Sequence, residues 1–152
     1  MIQIRNITYA LFLVFSIGQV VSASWLLNDP SGLYQEVLLD IGGDNKSFYS
    51  SSDSLVYLVE GPARIKCYSR GFTSRDIADE ISYKYNLSIG NLLYKLEIKD
   101  SINNFVVDSM DKNYYSHLST NIFNIPKGSH KVVIYSNNDC LFRLFTTKFS
   151  KK

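Results

Sequence analysis

The sequence predicts an all-β protein, an antiparallel β-sandwich of jelly-roll type with about eight to nine strands. Three observations carry that expectation. Short runs of β-branched and aromatic residues recur, separated by Gly, Pro, Asn and Asp. Several runs alternate apolar and polar residues with a period of two, as a strand with one buried face requires. No stretch after the N-terminal region holds the apolar spacing of a long helix.

The elements follow in chain order. "SWLLNDPSG" is a turn-rich start holding the only Trp, Trp25. "LYQEVLLD" (Leu33 to Asp40) is the first strand, and "IGGDNKS" reads as a loop. "SLVYLVE" (Ser54 to Glu60) is rich in β-formers, and Gly61-Pro62 reads as a turn. "ARIKCYSR" then alternates: Ala63, Ile65, Cys67 and Ser69 face inward, while Arg64, Lys66, Tyr68 and Arg70 face out. "GFTSRDIADE" is a polar interlude with room for a helical turn. "SYKYNLSI" places Tyr83, Tyr85, Leu87 and Ile89 on one face. Gly90-Asn91 is a hairpin turn, and "LLYKLEIKD" returns with Tyr94, Leu96 and Ile98 sharing a face. "NNFVVDSM" is a further strand and "DKNYYSH" a loop. "LSTNIFNI" runs into Pro126-Lys127-Gly128, read as a turn, and "HKVVIYS" leaves it. After Asn137-Asn138-Asp139, "CLFRLFTTKF" ends the fold.

The first residues are read separately. Arg5 precedes an apolar run from Tyr9 to Val21 that closes on the small-x-small pattern Val21-Ser22-Ala23. That is the form of a secretory signal peptide (1–23), which would leave a single sandwich domain over 24–152. A membrane anchor needs about 20 apolar residues; this run is shorter and is interrupted by Ser16 and Gln19. No Cys follows the small residues, so a lipid anchor is not indicated. The expected location is periplasmic or extracellular, with no stable membrane span after cleavage.

The net charge is +2, with Lys and Arg scattered among Asp and Glu. Nucleic-acid binding needs a concentrated cationic surface and is set aside. The two cysteines, Cys67 and Cys140, lie in a chain expected to be exported, where an even count favours pairing. A Cys67–Cys140 disulfide is therefore expected, stabilising by roughly 4 kcal/mol in the chain-entropy model. Unpaired, buried thiols are the alternative.

No catalytic constellation stands out. Neither His117 nor His130 has a metal-ligand neighbour at useful spacing, and "KGSHK" lacks the G-x-S-x-G elbow of a serine hydrolase. His130 is read as a polar residue at the start of a strand. Asp40, Asp44 and Asn45, and the Asn137–Asp139 turn, carry oxygens suited to Ca²⁺ but too few for its six to eight ligands. Asx residues favour such turns for their backbone tolerance. No metal and no cofactor are expected.

Eleven Tyr and nine Phe are an ample aromatic supply. Exposed rings stack on sugars, and Tyr68, between Lys66 and Arg70, is the best-placed candidate. Arg70 beside it, and Tyr114 and Tyr115 in a loop, complete a possible ligand-binding set. Two glycosylation sequons occur, at Asn45 and Asn86.

The order "LVEGPARIKCYSR", "YKYNLSI", "IPKGSHKVVIYS" resembles exported bacterial β-sandwich proteins of unassigned function. The matching residues are Gly61 and Pro62 before an alternating strand ending in Ser69-Arg70, and Pro126, Gly128 and His130 before the penultimate strand. The resemblance spans Ser54 to Phe149. Similar turns occur in accessory sandwich domains of carbohydrate-active enzymes. It implies the fold and carries no activity. The function expected is binding without catalysis, to a protein partner or within an envelope or extracellular assembly. A stand-alone carbohydrate-binding module is the alternative, and a small secreted hydrolase a third.

Overall fold

A computed structural model describes residues 24–27, 29–74, 79–108, 112–137 and 139–148. The expected signal peptide, and residues 75–78 where a helical turn had room to form, lie outside the described residues. Among the described residues every element is a strand: β1 (Ser24–Leu26), β2 (Gln35–Ile41), β3 (Asp44–Ser50), β4 (Ser54–Thr73), β5 (Glu80–Ile89), β6 (Leu92–Ser101), β7 (Val106–Asp108), β8 (Tyr114–Tyr115), β9 (Ser119–Ser136) and β10 (Cys140–Lys148). No helix there is long and apolar enough to cross a membrane.

The pairings are all antiparallel, as expected. They do not form the two separate sheets of a jelly-roll sandwich. One continuous sheet runs β6-β5-β9-β4-β10-β3-β2-β7, with β1 on β10 and β8 on β4. It curls into a half-barrel whose arms close on a shared core.

The device that joins the arms was misread from sequence. Gly61-Pro62 and Pro126-Lys127-Gly128 are not turns; both lie inside long strands, β4 and β9, which pair along nearly their whole length. Gly61 pairs with Gly128, and Ala63 with Ile125. β9 thus carries one extra residue at the corner, a β-bulge, which bends the ribbon. The extra residue also resets side-chain parity, since a one-residue slip flips faces. Phe123 and Ile125 point inward before the bulge, Val132 and Ile134 after it, and all four are buried.

Close approach at the corner requires glycine. A Cβ on Gly61 would fall 1.7 Å from the Pro126 carbonyl oxygen. His130, next to the bulge, meets the Lys127 carbonyl through Nε2 at 3.3 Å. The imidazole therefore donates to a carbonyl at the bulge.

"IGGDNKS" was likewise read as loop alone. Only Gly42 and Gly43 turn, with φ of 65° and 92°, and Asp44 to Ser50 pair back on β2 as β3. Positive φ at both central residues is what a tight hairpin demands. The Asp40 Oδ1 accepts the Gly43 N–H at 2.7 Å. The Gly90-Asn91 hairpin formed as expected, with Ile89 opposite Leu92.

The main core lies on the concave face. Leu55, Tyr57 and Val59, then Ala63, Ile65 and Cys67, line β4 without a break. Across from them lie Tyr83, Tyr85 and Leu87 of β5 and Phe142 and Leu144 of β10. Each fully buried large side chain stabilises by about 2–3 kcal/mol. Tyr85 stacks edge-on against Phe142 at 4.9 Å between centroids. Two buried tyrosine hydroxyls find partners, Tyr83 Oη with Ser69 Oγ at 3.0 Å and Tyr85 Oη accepting from Asn121 Nδ2 at 3.1 Å, while Tyr57 Oη has none among the described residues. A smaller core of Leu39, Phe48, Val106, Tyr115 and Leu141 sits on the opposite face of the β10-β3-β2 arm.

Candidate functional site: the outer face of β9, β4 and β10

The concave face is filled by core, so a ligand must be met elsewhere. Beyond the corner, three neighbouring strands turn a second face outward. β4 presents Arg64, Lys66 and Tyr68; the residues opposite them on β9 are Asn124, Ile122 and Thr120, and on β10 Thr147, Phe145 and Arg143. Strict alternation puts these nine residues on one face because Ile65 and Cys67, between them, belong to the core.

The chemistry of this face is one-sided. Arg64, Lys66 and Arg143 are cations, and none of the nine positions is Asp or Glu. Arg64, Thr120, Ile122 and Asn124 are exposed; Lys66, Tyr68, Arg143 and Phe145 are half-buried against one another, and Thr147 is buried. The Arg143 guanidinium lies over the Phe145 ring, 5.0 Å from its centroid. Tyr68 meets the same ring edge-on, at 5.3 Å and 69°. Arg143 Nε is shielded and has no hydrogen-bond partner among the described residues. The arrangement is a cationic strip with aromatic support, in which Arg143 is held by cation–π contact.

The residues picked from sequence separate here. Tyr68 is on this face, but as a half-buried ring packed against Phe145 and not as one of a set of coplanar rings. Arg70 points to the same side yet is buried, and its Nη1 donates to the Ser116 carbonyl at 2.6 Å. Burial lowers its pKa from the ordinary arginine value. It ties β4 to the segment after β8 and is not free to meet a ligand. Tyr115, expected at a rim, is a core residue whose Oη donates to Asp108 Oδ2 at 2.8 Å. Tyr114 is half-buried beside it in β8, paired with Thr73. Phe145 and Arg143 were missed, because "CLFRLF" is apolar on both faces and either set of residues could have faced the core.

The expected disulfide does not form. Both thiols are free and buried in the main core. In the β4–β10 register Cys67 lies opposite Leu144 and Cys140 opposite Gly71. Four residues of offset separate the two Cα atoms by roughly 13 Å along the strands. A disulfide spans roughly 4.4–6.8 Å between Cα atoms. Burial pushes the Cys67 thiol up to about 12, opposed by a hydrogen bond to Tyr85, and raises Cys140 as well. Both act as small core residues.

His130 bonds the Lys127 carbonyl, and the backbone N–H of His117 bonds the Ser101 carbonyl. Neither lines the depression of about 390 Å³ bounded by Leu33, Tyr34, Ser50–Ser52 and Phe72, nor the one of about 480 Å³ beside Leu58 and Lys131. Among the described residues no three His, Cys, Asp or Glu side chains converge as a metal site. Asp44 pairs with Lys46 at 3.4 Å, and Asp40 is engaged in its own turn. Asn45 and Asn86, the sequon residues, are both exposed.

No family model matches the chain, and no curated protein matches it in sequence. Solved structures match its shape distantly. A family GH115 4-O-methyl-α-glucuronidase with specificity for decorated arabinogalactans aligns with a TM-score of 0.45 and 10% identity, over 84% of this chain and 18% of that one. A GH26-CBM35 β-(1,4)-mannanase of Podospora anserina aligns with a TM-score of 0.41 and 11% identity, over 86% and 28%. A Clostridium thermocellum xylanase fragment with CBM22 and GH10 modules aligns with a TM-score of 0.35 and 14% identity, over 83% and 28%. The chain spans less than a third of each. Likenesses this distant assign neither a fold family nor an activity.

Proposed function

We propose that this protein is an exported, non-catalytic binding domain whose ligand is an acidic polysaccharide lying along the outer face of β9, β4 and β10. The observation that carries the reading is the one-signed face: Arg64, Lys66 and Arg143 together, with neither Asp nor Glu at any of its nine positions. The whole chain is only +2, so this concentration is local and does not follow from overall composition. Arginine and lysine at successive outward positions stand roughly 6–7 Å apart along a strand. That spacing suits the periodic carboxylates of an extended uronate-bearing chain, which guanidinium groups bind bidentately. Tyr68 adds ring surface for the apolar side of a sugar. An open outer face suits a polymer, which crosses it, better than a small molecule, which needs enclosure.

Retention on immobilised polygalacturonate, against a neutral dextran control, tests this. The protein is expected to bind the acidic polymer and to elute with salt, as surface charge pairs are screened. The Arg64→Glu/Lys66→Glu double variant should lose retention, and Tyr68→Ala should weaken it. Equal retention on both polymers, or none on either, refutes the reading. If charge reversal abolishes binding and Tyr68→Ala leaves it intact, the ligand is an acidic protein surface instead.

A further inference from the structure

Among the described residues the sheet has a long open edge, and its sequence is self-complementary. β6 (Leu92–Ser101) ends the strand order, paired only with β5 among the described residues. The direction of its main-chain groups follows from the hairpin. Ile89 and Leu92 flank the two-residue turn and so share hydrogen bonds. Tyr94, Leu96, Ile98 and Asp100 therefore direct their N–H and C=O groups toward β5. Leu93, Lys95, Glu97 and Lys99 direct theirs away from it. The Gly90 N–H bonding Lys131 of β9 agrees with this parity.

The outward edge is closed at its far end. The Ser101 carbonyl is taken by the His117 N–H. What remains open runs from Leu93 to Lys99, and its midpoint is Leu96. On the concave side of this edge Tyr94, Leu96 and Ile98 are packed against the main core but only half covered. Edge strands are usually guarded by charges, lysine above all. Here the guard is Lys95, Glu97, Lys99, with alternating sign.

We propose that two copies of this chain associate by antiparallel pairing of their β6 strands about a two-fold axis at Leu96. That register sets Lys95 of each copy opposite Glu97 of the other, Leu96 opposite Leu96, and Tyr94 opposite Ile98. Lys99 falls opposite Leu93, over whose side chain its methylene stem can lie. The neighbouring registers are excluded by charge and by access. An axis at Glu97 opposes two glutamates and sets Lys95 against Lys99. An axis at Lys95 opposes two lysines. An axis at Ile98 sets Leu96 against Asp100 and needs the Ser101 carbonyl that His117 already holds. Slips of odd length direct main-chain groups away from their partners. One register satisfies hydrogen bonding, charge and apolar cover together, and a two-fold interface of this kind closes on itself. This inference does not depend on the outer-face ligand.

Sedimentation of the full chain, expressed with its own N-terminus, tests it without any ligand present. The protein is expected to dimerise at concentrations up to roughly 100 µM, where an affinity in that range still registers. Glu97 also meets Lys84 of its own β5 at 3.0 Å, so Glu97→Lys makes both intermolecular pairs repulsive as well as that intrachain pair, and should weaken association by about tenfold or more. Adding Lys95→Glu to that variant restores opposite signs in the same register and should restore the dimer. Circular dichroism confirms that both variants keep the strand signal. A monomeric wild type, a dimer indifferent to Glu97→Lys, or a charge-swapped double variant that stays monomeric would each overturn the proposal.

Discussion

Replacing Gly61 by alanine should cripple the fold from a position with no side chain to lose. The added Cβ would lie 1.7 Å from the Pro126 oxygen, 2.8 Å from its carbonyl carbon and 3.0 Å from Ile125 Cγ2. The first two are backbone atoms of the strand paired with β4, so no rotamer change relieves the contact. The ribbon must open at the corner that sets one arm of the sheet on the other. Overpacking a core position usually costs about 1–3 kcal/mol; a backbone clash at a corner falls at or above the upper end, about 3 kcal/mol or more. For a domain of this size that lowers Tm by roughly 10 °C. Two other glycines calibrate the result. At Gly71 a Cβ meets Tyr83 Cδ1 at 2.4 Å and Ile81 Cγ2 at 2.6 Å. Those are side chains, which can shift, so Gly71→Ala should cost about 1–3 kcal/mol. At Gly42 there is open space and only the φ of +65° opposes a side chain, worth about 1 kcal/mol. Urea unfolding followed by circular dichroism measures all three. A Gly61→Ala protein no less stable than Gly42→Ala would mean that β4 and β9 do not run continuously through the corner.

Three further predictions concern the core. Native protein at pH 8 should resist thiol alkylation, and both cysteines should label in urea, with the same intact mass before and after reductant; a mass lower by two hydrogens in unreduced protein would restore the disulfide. Because burial raises the Cys67 pKa to about 12, the thiol's contribution to stability is fully present below the ordinary thiol range and is lost as pH rises from there toward 12. By pH 10 the loss is about 1–2 kcal/mol, visible as a falling urea midpoint that Cys67→Ala should make shallower, leaving the share of Cys140, whose pKa burial also raises. The Tyr57 hydroxyl is buried without a hydrogen-bond partner among the described residues, so Tyr57→Phe should be neutral or stabilising, by up to about 1 kcal/mol. Tyr83→Phe gives up the bond to Ser69 and should cost about 1 kcal/mol. The opposite ranking in a chemical denaturation series would show that the Tyr57 hydroxyl has found a partner.

Much of the strand pattern was legible because alternation reports local geometry. Ala63, Ile65 and Cys67, and Tyr83, Tyr85 and Leu87, went inward as their period required. The breaks were less legible. Gly61-Pro62 and Pro126-Lys127-Gly128 carry turn chemistry, yet each faces the other across a bulge and neither reverses the chain. The shift of apolar parity from Phe123 and Ile125 to Val132 and Ile134 was a sign of a bulge already present in the letters. Two-sided burial defeated the site assignment. Arg70 and Tyr115 look like surface residues by alternation or loop context, but the second core and the Ser116 carbonyl enclose them.

By itself the sequence determined that the chain is all-β and antiparallel, where most strands lie, and which face of each is apolar, because these follow from residue type and a period of two. Only the tertiary structure decided how the strands connect. It made one curled sheet of β4 and β9, placed Cys67 and Cys140 in adjacent strands four residues out of register, and gathered Arg64, Lys66 and Arg143 on one face. Register between distant strands is set by packing and bulges summed over the whole core, and no local pattern carries that sum.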